Sequence, residues 1–312
     1  MAAVSLQHIK KTYGKPKDQI LALRDISFDV SKGELFGLIG PDGAGKTSLF
    51  RILTTLLLAD SGSATVNGFD VVKQYKEIRR SVGYMPGRFS LYQDLTVAEN
   101  LQFFATIFNT TVQENYSLIK DIYTQIEPFK DRRAGKLSGG MKQKLALSCA
   151  LIHRPSILLL DEPTTGVDAV SRKEFWEMLR SLKKEGITIL VSTPYMDEAA
   201  LCDKVALMQK GELLSINTPE GIVASFGKPL YALKGANMIG LLKVLQQHDS
   251  IDSVYPSGVY HHLIPKNGIR IEEIVSSLES NGQHGIEWKA ITPNVEDCFM
   301  DLMRITNTTQ EN

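Results

Sequence analysis

Three things are scarce in this chain, and each scarcity excludes something. The first is cysteine. Cys149, Cys202 and Cys298 are the only three in 312 residues. They are too widely spaced for a disulfide framework and form neither a zinc spacing nor a Cys-x-x-Cys pair, so they read as packing residues in a reducing compartment. The second is net charge. The 35 basic and 35 acidic side chains cancel, so no long-range field favours nucleic acid or an anionic membrane, and nucleic acid is not an expected partner. The third is long apolar sequence. The richest runs, Ile52–Ala59 and Ile157–Leu160, fall far short of the roughly 20 residues that span a bilayer. The opening Met1–Lys11 is polar and alternating, unlike a secretory signal. The expectation is a cytoplasmic chain that reaches a membrane only through a partner.

What is present is ordered in two blocks, and the length leaves room for more than one domain. Ile26, Phe28 and Val30 alternate with polar residues, as in a half-buried strand, and Leu35–Ile39 is a nearly continuous apolar strand. A glycine-rich loop follows, then an apolar helix through Leu49, Ile52, Leu53 and Leu56. Thr65–Val72, broken at Asn67-Gly68, reads as a hairpin. Residues 88–136 have a helical texture, with Thr96 and Glu99 set as a capping box. Strand Ile157–Leu160, a helix carrying Phe175, Met178, Leu179 and Leu182, and strand Ile187–Ser192 complete an α/β sheet covered on both faces.

Beyond Thr218-Pro219 the pattern becomes strand 230–233, helix 238–246, strands 251–255 and 259–264, helix 271–278 and strand 286–290. This βαββαβ order is ferredoxin-like. The expected organisation is residues 1–218 with a helical subdomain at about 88–155, and a small α+β accessory domain at 219–312. His261 and His262 are adjacent on a strand and face opposite sides, so they read as packed or solvated rather than metal-binding.

Gly40-Pro41-Asp42-Gly43-Ala44-Gly45-Lys46-Thr47 is a P-loop between a strand and a helix. Its glycines let the backbone N–H groups close on phosphates, and the helix adds its positive end. Lys46 is expected at the β- and γ-phosphates, and Thr47 on Mg²⁺, with Ser48 next to them. Ile157–Leu160 delivers Asp161 and Glu162, the first to hold the metal and the second to act as general base. Leu137-Ser138-Gly139-Gly140-Met141 opens a helix that runs to about His153, with Ser138 as N-cap. That terminus suits an anion, and equally suits an ordinary capped helix.

The order of P-loop, Leu-Ser-Gly-Gly, Asp-Glu strand and Thr165-Gly166-Val167-Asp168 resembles the ABC ATPase family over roughly Val4 to Thr218. The resemblance implies ATP and Mg²⁺, ATP hydrolysis, and a head-to-tail dimer in which each signature helix completes the partner's site. It also implies Tyr13 on the adenine, a buried strand tyrosine being the alternative, and Asp168 across the interface. Integral membrane permease subunits would be the other partners, placing the chain at the cytoplasmic face of the inner membrane.

Tyr84-Met85-Pro86, the segment Leu95–Leu101 and Pro293-Asn294-Val295-Glu296-Asp297 resemble the bacterial multidrug and antibiotic exporter branch. The aromatics Phe89, Tyr92, Phe103 and Phe104 read either as a permease docking face or as subdomain core.

Two positions depart from the family. Gly87 stands where it has a γ-phosphate-sensing glutamine, and Pro194 where it has a histidine; proline offers neither side-chain donor nor N–H. The departures imply a slow site on this chain's own P-loop, with a competent site on a non-identical partner. A homodimer is the rival arrangement. A non-transport ABC ATPase and an ATP-binding regulatory module are the alternative functions.

Overall fold

The computed structural model describes residues 2–15 and 17–310, with side chains to residue 305. Met1 of the opening segment lies outside the described residues. Two compact units divide the chain, the first ending at Pro219 and the second beginning at Glu220.

In the first unit a six-stranded sheet runs in the order Glu212–Asn217, Lys204–Gln209, Leu35–Ile39, Thr188–Thr193, Ile157–Asp161, Val82–Met85. All neighbours are parallel except the first pair. Leu35–Ile39 and Ile157–Asp161 are buried at every position, which is why neither shows alternation. The parallel strands end at one edge, and Gly40, Glu162 and Pro194 follow directly from their last residues. A ligand crevice belongs at such an edge of an open α/β sheet.

A second, antiparallel sheet takes strands Ala2–Tyr13, Ile20–Ser31, Ser61–Val66 and Phe69–Asp70. The alternating opening segment is therefore a strand, with its register shifting between Leu6 and Ile9. The hairpin closes on Ser61–Val66 and Phe69–Asp70, leaving Val71 and Val72 outside it.

The P-loop helix spans Lys46–Leu53 and stops earlier than its apolar spacing suggests. Thr54 caps it and Thr55 turns to a positive φ of 63°. Leu56, expected on this helix, is consequently exposed. The stretch from residue 88 to 96 is non-helical. Helices Val97–Ile107 and Val112–Tyr123 follow, each opened by a reciprocal capping box, at Thr96/Glu99 and Thr111/Glu114. The signature helix spans Gly139–Leu151, so His153 lies beyond it.

The second unit carries a sheet ordered Ile251–Ser257, Tyr260–Pro265, Tyr231–Lys234, Glu287–Ala290, antiparallel throughout. Helices Met238–Gln246 and Ile271–Ser280 pack on one core with Leu233, Leu263 and Ile251. The βαββαβ path is the expected one. Helices Pro219–Ala224 and Val295–Gln310 are additions to it. The last is anchored by Asp297, which accepts from Tyr255 at 2.8 Å and contacts His262 Nδ1 at 2.6 Å. His261 meets the Met238 carbonyl at 2.8 Å, so both histidines are packed.

Candidate functional site

The site begins with a backbone requirement. Gly45 is the N-cap of the Lys46–Leu53 helix with φ of 105°, and a Cβ there would lie 2.5 Å from the Ala22 carbonyl oxygen. Only glycine fits both conditions. No side chain caps this helix, so its first N–H groups face outward as an anion site. Gly40 ties the loop to the sheet by donating to the Thr193 carbonyl at 3.2 Å. Ala44 is buried, while Asp42 and Gly43 are exposed at the tip.

Lys46 is 3% exposed, and its Nζ lies 2.7 Å from the Gly40 carbonyl, 3.1 Å from the Pro41 carbonyl and 3.1 Å from Glu162 Oε1. The Thr47 hydroxyl donates to Asp161 Oδ1 at 3.2 Å. A hydroxyl and a carboxylate converging this way are hard oxygen donors of the kind that suit Mg²⁺. Tyr13 ends its strand partly exposed, its hydroxyl 3.1 Å from Ser48 Oγ. It is thus not the buried strand tyrosine considered as the alternative.

Ser192 is a site residue that the sequence did not single out. Its hydroxyl donates to Asp161 at 2.6 Å and accepts from the Glu162 N–H at 3.0 Å. Glu162 also donates to the Ser192 carbonyl and accepts from the Thr165 N–H. These bonds hold Glu162 at φ of 50°, a conformation that costs a non-glycine residue about 1–2 kcal/mol. Strain of this kind persists where the surroundings over-determine it, characteristically at working sites. The Tyr84 hydroxyl is pushed up to about 12 by burial, with the Asp161 charge adding to the effect.

Gly87 lies against this cluster. A Cβ on it would sit 3.1 Å from the Asp161 carbonyl oxygen and 3.7 Å from Glu162 Cβ. Pro194 follows the Thr193 carbonyl that receives Gly40.

The signature segment is built separately. Leu137 is buried, Ser138 and Gly139 are exposed, and the Ser138 hydroxyl accepts from the Met141 N–H at 3.4 Å. Gly140 has a structural duty as well, since a Cβ there would meet Ser171 Oγ at 2.6 Å. Asp168 caps the helix Ala169–Lys184, accepting from Val170 and Ser171. The Ser171 bond holds its carboxyl below the usual range.

A cavity of about 500 Å³ opens beside the helical region, lined by Tyr84, Met85, Phe89, Phe104, Phe108 and His153 among others. His153 stacks on Phe108 at 3.8 Å, and burial pushes it down to about 4. Phe89 and Phe104 face this cavity, whereas Tyr92 and Phe103 form an edge-to-face ring pair beside it. No helix among the described residues is long and apolar enough to cross a membrane.

Comparison with known proteins agrees with this geometry. The family described as "ABC transporter" matches residues 23–165. The chain is 39% identical to the probable multidrug ABC transporter ATP-binding protein YbhF of Escherichia coli, over 99% of this chain and 53% of that one. It therefore spans about half the length of that relative. It is 37% identical to the Nod factor export ATP-binding protein I of Burkholderia lata, over 97% of both chains. Among solved structures, cbiO1 from Clostridium perfringens, part of the ABC transporter complex cbiONQ, aligns with a TM-score of 0.63 at 26% identity. That alignment covers 72% of this chain and 91% of cbiO1.

Proposed function

The chain belongs to the ABC transporter ATP-binding family, and from that premise we propose that it is the ATP-hydrolysing motor subunit of a bacterial exporter. One juxtaposition carries the reading: Lys46 beside Glu162 at 3.1 Å and Thr47 beside Asp161 at 3.2 Å, at the mouth of an uncapped helix. Of the loop, residues 40–48, the N–H groups beyond Pro41 together with the Lys46 ammonium would hold the ATP phosphates, with Tyr13 against the adenine. Thr47 and Asp161 would hold Mg²⁺, which when bound neutralises phosphate charge. Glu162, fixed by Ser192, would orient and deprotonate the attacking water. Leu137–Met141 would serve a second ATPase domain's nucleotide, and Asp168 would meet that domain across the interface.

Gly87 and Pro194 support a division of labour. Losing one preorganised donor to a reacting phosphate slows chemistry by about 10²–10³-fold. The site on this chain would then turn over slowly, while its signature completes a faster site on a non-identical partner. The export reading draws on the multidrug and Nod factor export names of relatives. The apolar cavity near Phe89 and Phe104 fits a permease segment docking from the membrane, which would hold the chain at the cytoplasmic face. Residues 1–218 would form the motor and 219–312 an accessory domain.

The test is ATP turnover by the chain alone and co-purified with its membrane subunits. Slow turnover alone, accelerated in the complex, is the expected result. Brisk Mg²⁺-dependent turnover by the isolated chain, abolished by Glu162→Gln, would overturn the division of labour. ATP binding without turnover in the complex would favour a regulatory module.

A further inference from the structure

One buried carboxylate beside the site has no task in the mechanism above. Glu198 is 1% exposed; its Oε1 accepts from Thr164 Oγ1 at 2.9 Å, and its Oε2 has no hydrogen-bond partner among the described residues. Among the described residues, its one ion-pair partner is Arg172 at 3.9 Å. The same guanidinium lies 4.9 Å from the centre of the Tyr195 ring and 3.5 Å from Asp197. Arg172 thus contacts three residues of the segment that follows Pro194. It stands one helical turn from Asp168, to whose carbonyl its own N–H donates at 2.9 Å. Thr164 lies two residues beyond Glu162, in the turn that holds the general base at positive φ.

We propose that Arg172 is a positioning residue that ties the Asp168 loop to the segment after Pro194 and, through Glu198 and Thr164, to the turn carrying Glu162. Ordinarily a histidine at position 194 would hold this segment to the nucleotide. Here Arg172 holds this segment, beside the Thr164–Glu198 bond. The exposed pairing with Asp197 contributes little by itself, but removing the cation beside a buried carboxylate is strongly destabilising. The planar face on Tyr195 adds an orientation that a lysine cannot supply. A push on Asp168 from a partner therefore reaches the Glu162 turn through one turn of helix and the side chains of Arg172, Glu198 and Thr164. The proposal rests on the nucleotide-site reading.

Trp176 supplies a reporter. It shares a cavity of about 270 Å³ with Arg172, Asp197 and Glu198, and it is one of two tryptophans. In the full chain carrying Trp288→Phe, Trp176 emission is recorded as Mg-ATP is titrated, together with the ATP dissociation constant. The expected result is a saturable change that Arg172→Ala reduces at least about fivefold, with affinity unchanged. Turnover falls about tenfold to a hundredfold with KM retained, the size of effect that misplacing a catalytic group produces. Arg172→Lys is intermediate. Because Arg172→Ala strands a buried charge, Arg172→Ala/Glu198→Gln is the control: thermal stability recovers and the signal does not.

Persistence of the signal in Arg172→Ala, its recovery in the double variant, or its absence when wild-type chain has bound ATP would each overturn the proposal. Failure to bind ATP at all would instead overturn the nucleotide-site reading.

Discussion

Two helix N-termini in this chain figure in the proposed nucleotide chemistry, and they are built to opposite plans. The terminus at Lys46 has no side-chain cap, a buried lysine, and a threonine and two carboxylates within reach. The terminus at Gly139 has a serine cap, two glycines and, beyond them, its own helix Ala169–Lys184. In the proposed reading, the first gathers the groups that bind a nucleotide and its metal, short of the donors missing at Gly87 and Pro194. The second holds only the means to recognise a nucleotide. What a helix end can do thus depends on what the rest of the fold brings to it, and the proposed dimer would supply at the second what the chain itself does not.

Substitutions test this contrast. The largest effect is expected from Glu162→Gln, which should lower turnover about 10²–10⁴-fold, the usual contribution of a general base. ATP affinity measured by calorimetry should stay intact. Next is Gly139→Asp, which places a negative charge at the second terminus. Its Cβ would find 3.5 Å to Gly166 O, an ordinary contact, so the fold should tolerate it. Turnover of the assembled dimer should drop about 10²–10³-fold, with ATP binding by the isolated chain unchanged. An equal loss of binding there would break the comparison.

Pro194→His should raise turnover at the first terminus about tenfold by restoring a donor. Gly87→Gln should give no gain, because its Cβ meets the Asp161 carbonyl at 3.1 Å. A last effect, on stability rather than turnover, lies past the far end of the signature helix. Burial lowers the His153 pKa from 6.5 to about 4. As pH falls below 6.5 the unfolded chain takes up the proton first, so stability is lost between about 6.5 and 4. The loss is at most about 3 kcal/mol. Denaturant titrations across that range should show a shallower decline in His153→Phe.

How legible this was in the sequence followed from locality. The P-loop, the Asp-Glu pair and the signature are contiguous, so their chemistry reads directly. Ser192, 31 residues from Asp161, became a site residue only when two strands lay side by side. Arg172 and Glu198 came together in the same way. The first strand does alternate in sequence, but its polarity alone does not say that it pairs in a sheet, and the P-loop helix ends before its apolar spacing does because Thr55 reverses the backbone after a run of suitable residues. Asn294 and Asp297 cap one another at the start of the last helix, a local signal that was present but taken only as a family likeness.

The contact at Gly140 has a mechanical meaning. With 2.6 Å between a would-be Cβ and Ser171, the signature helix and the helix behind Asp168 lock like two leaves of one plate. Any side chain at position 140 would act as a wedge between them.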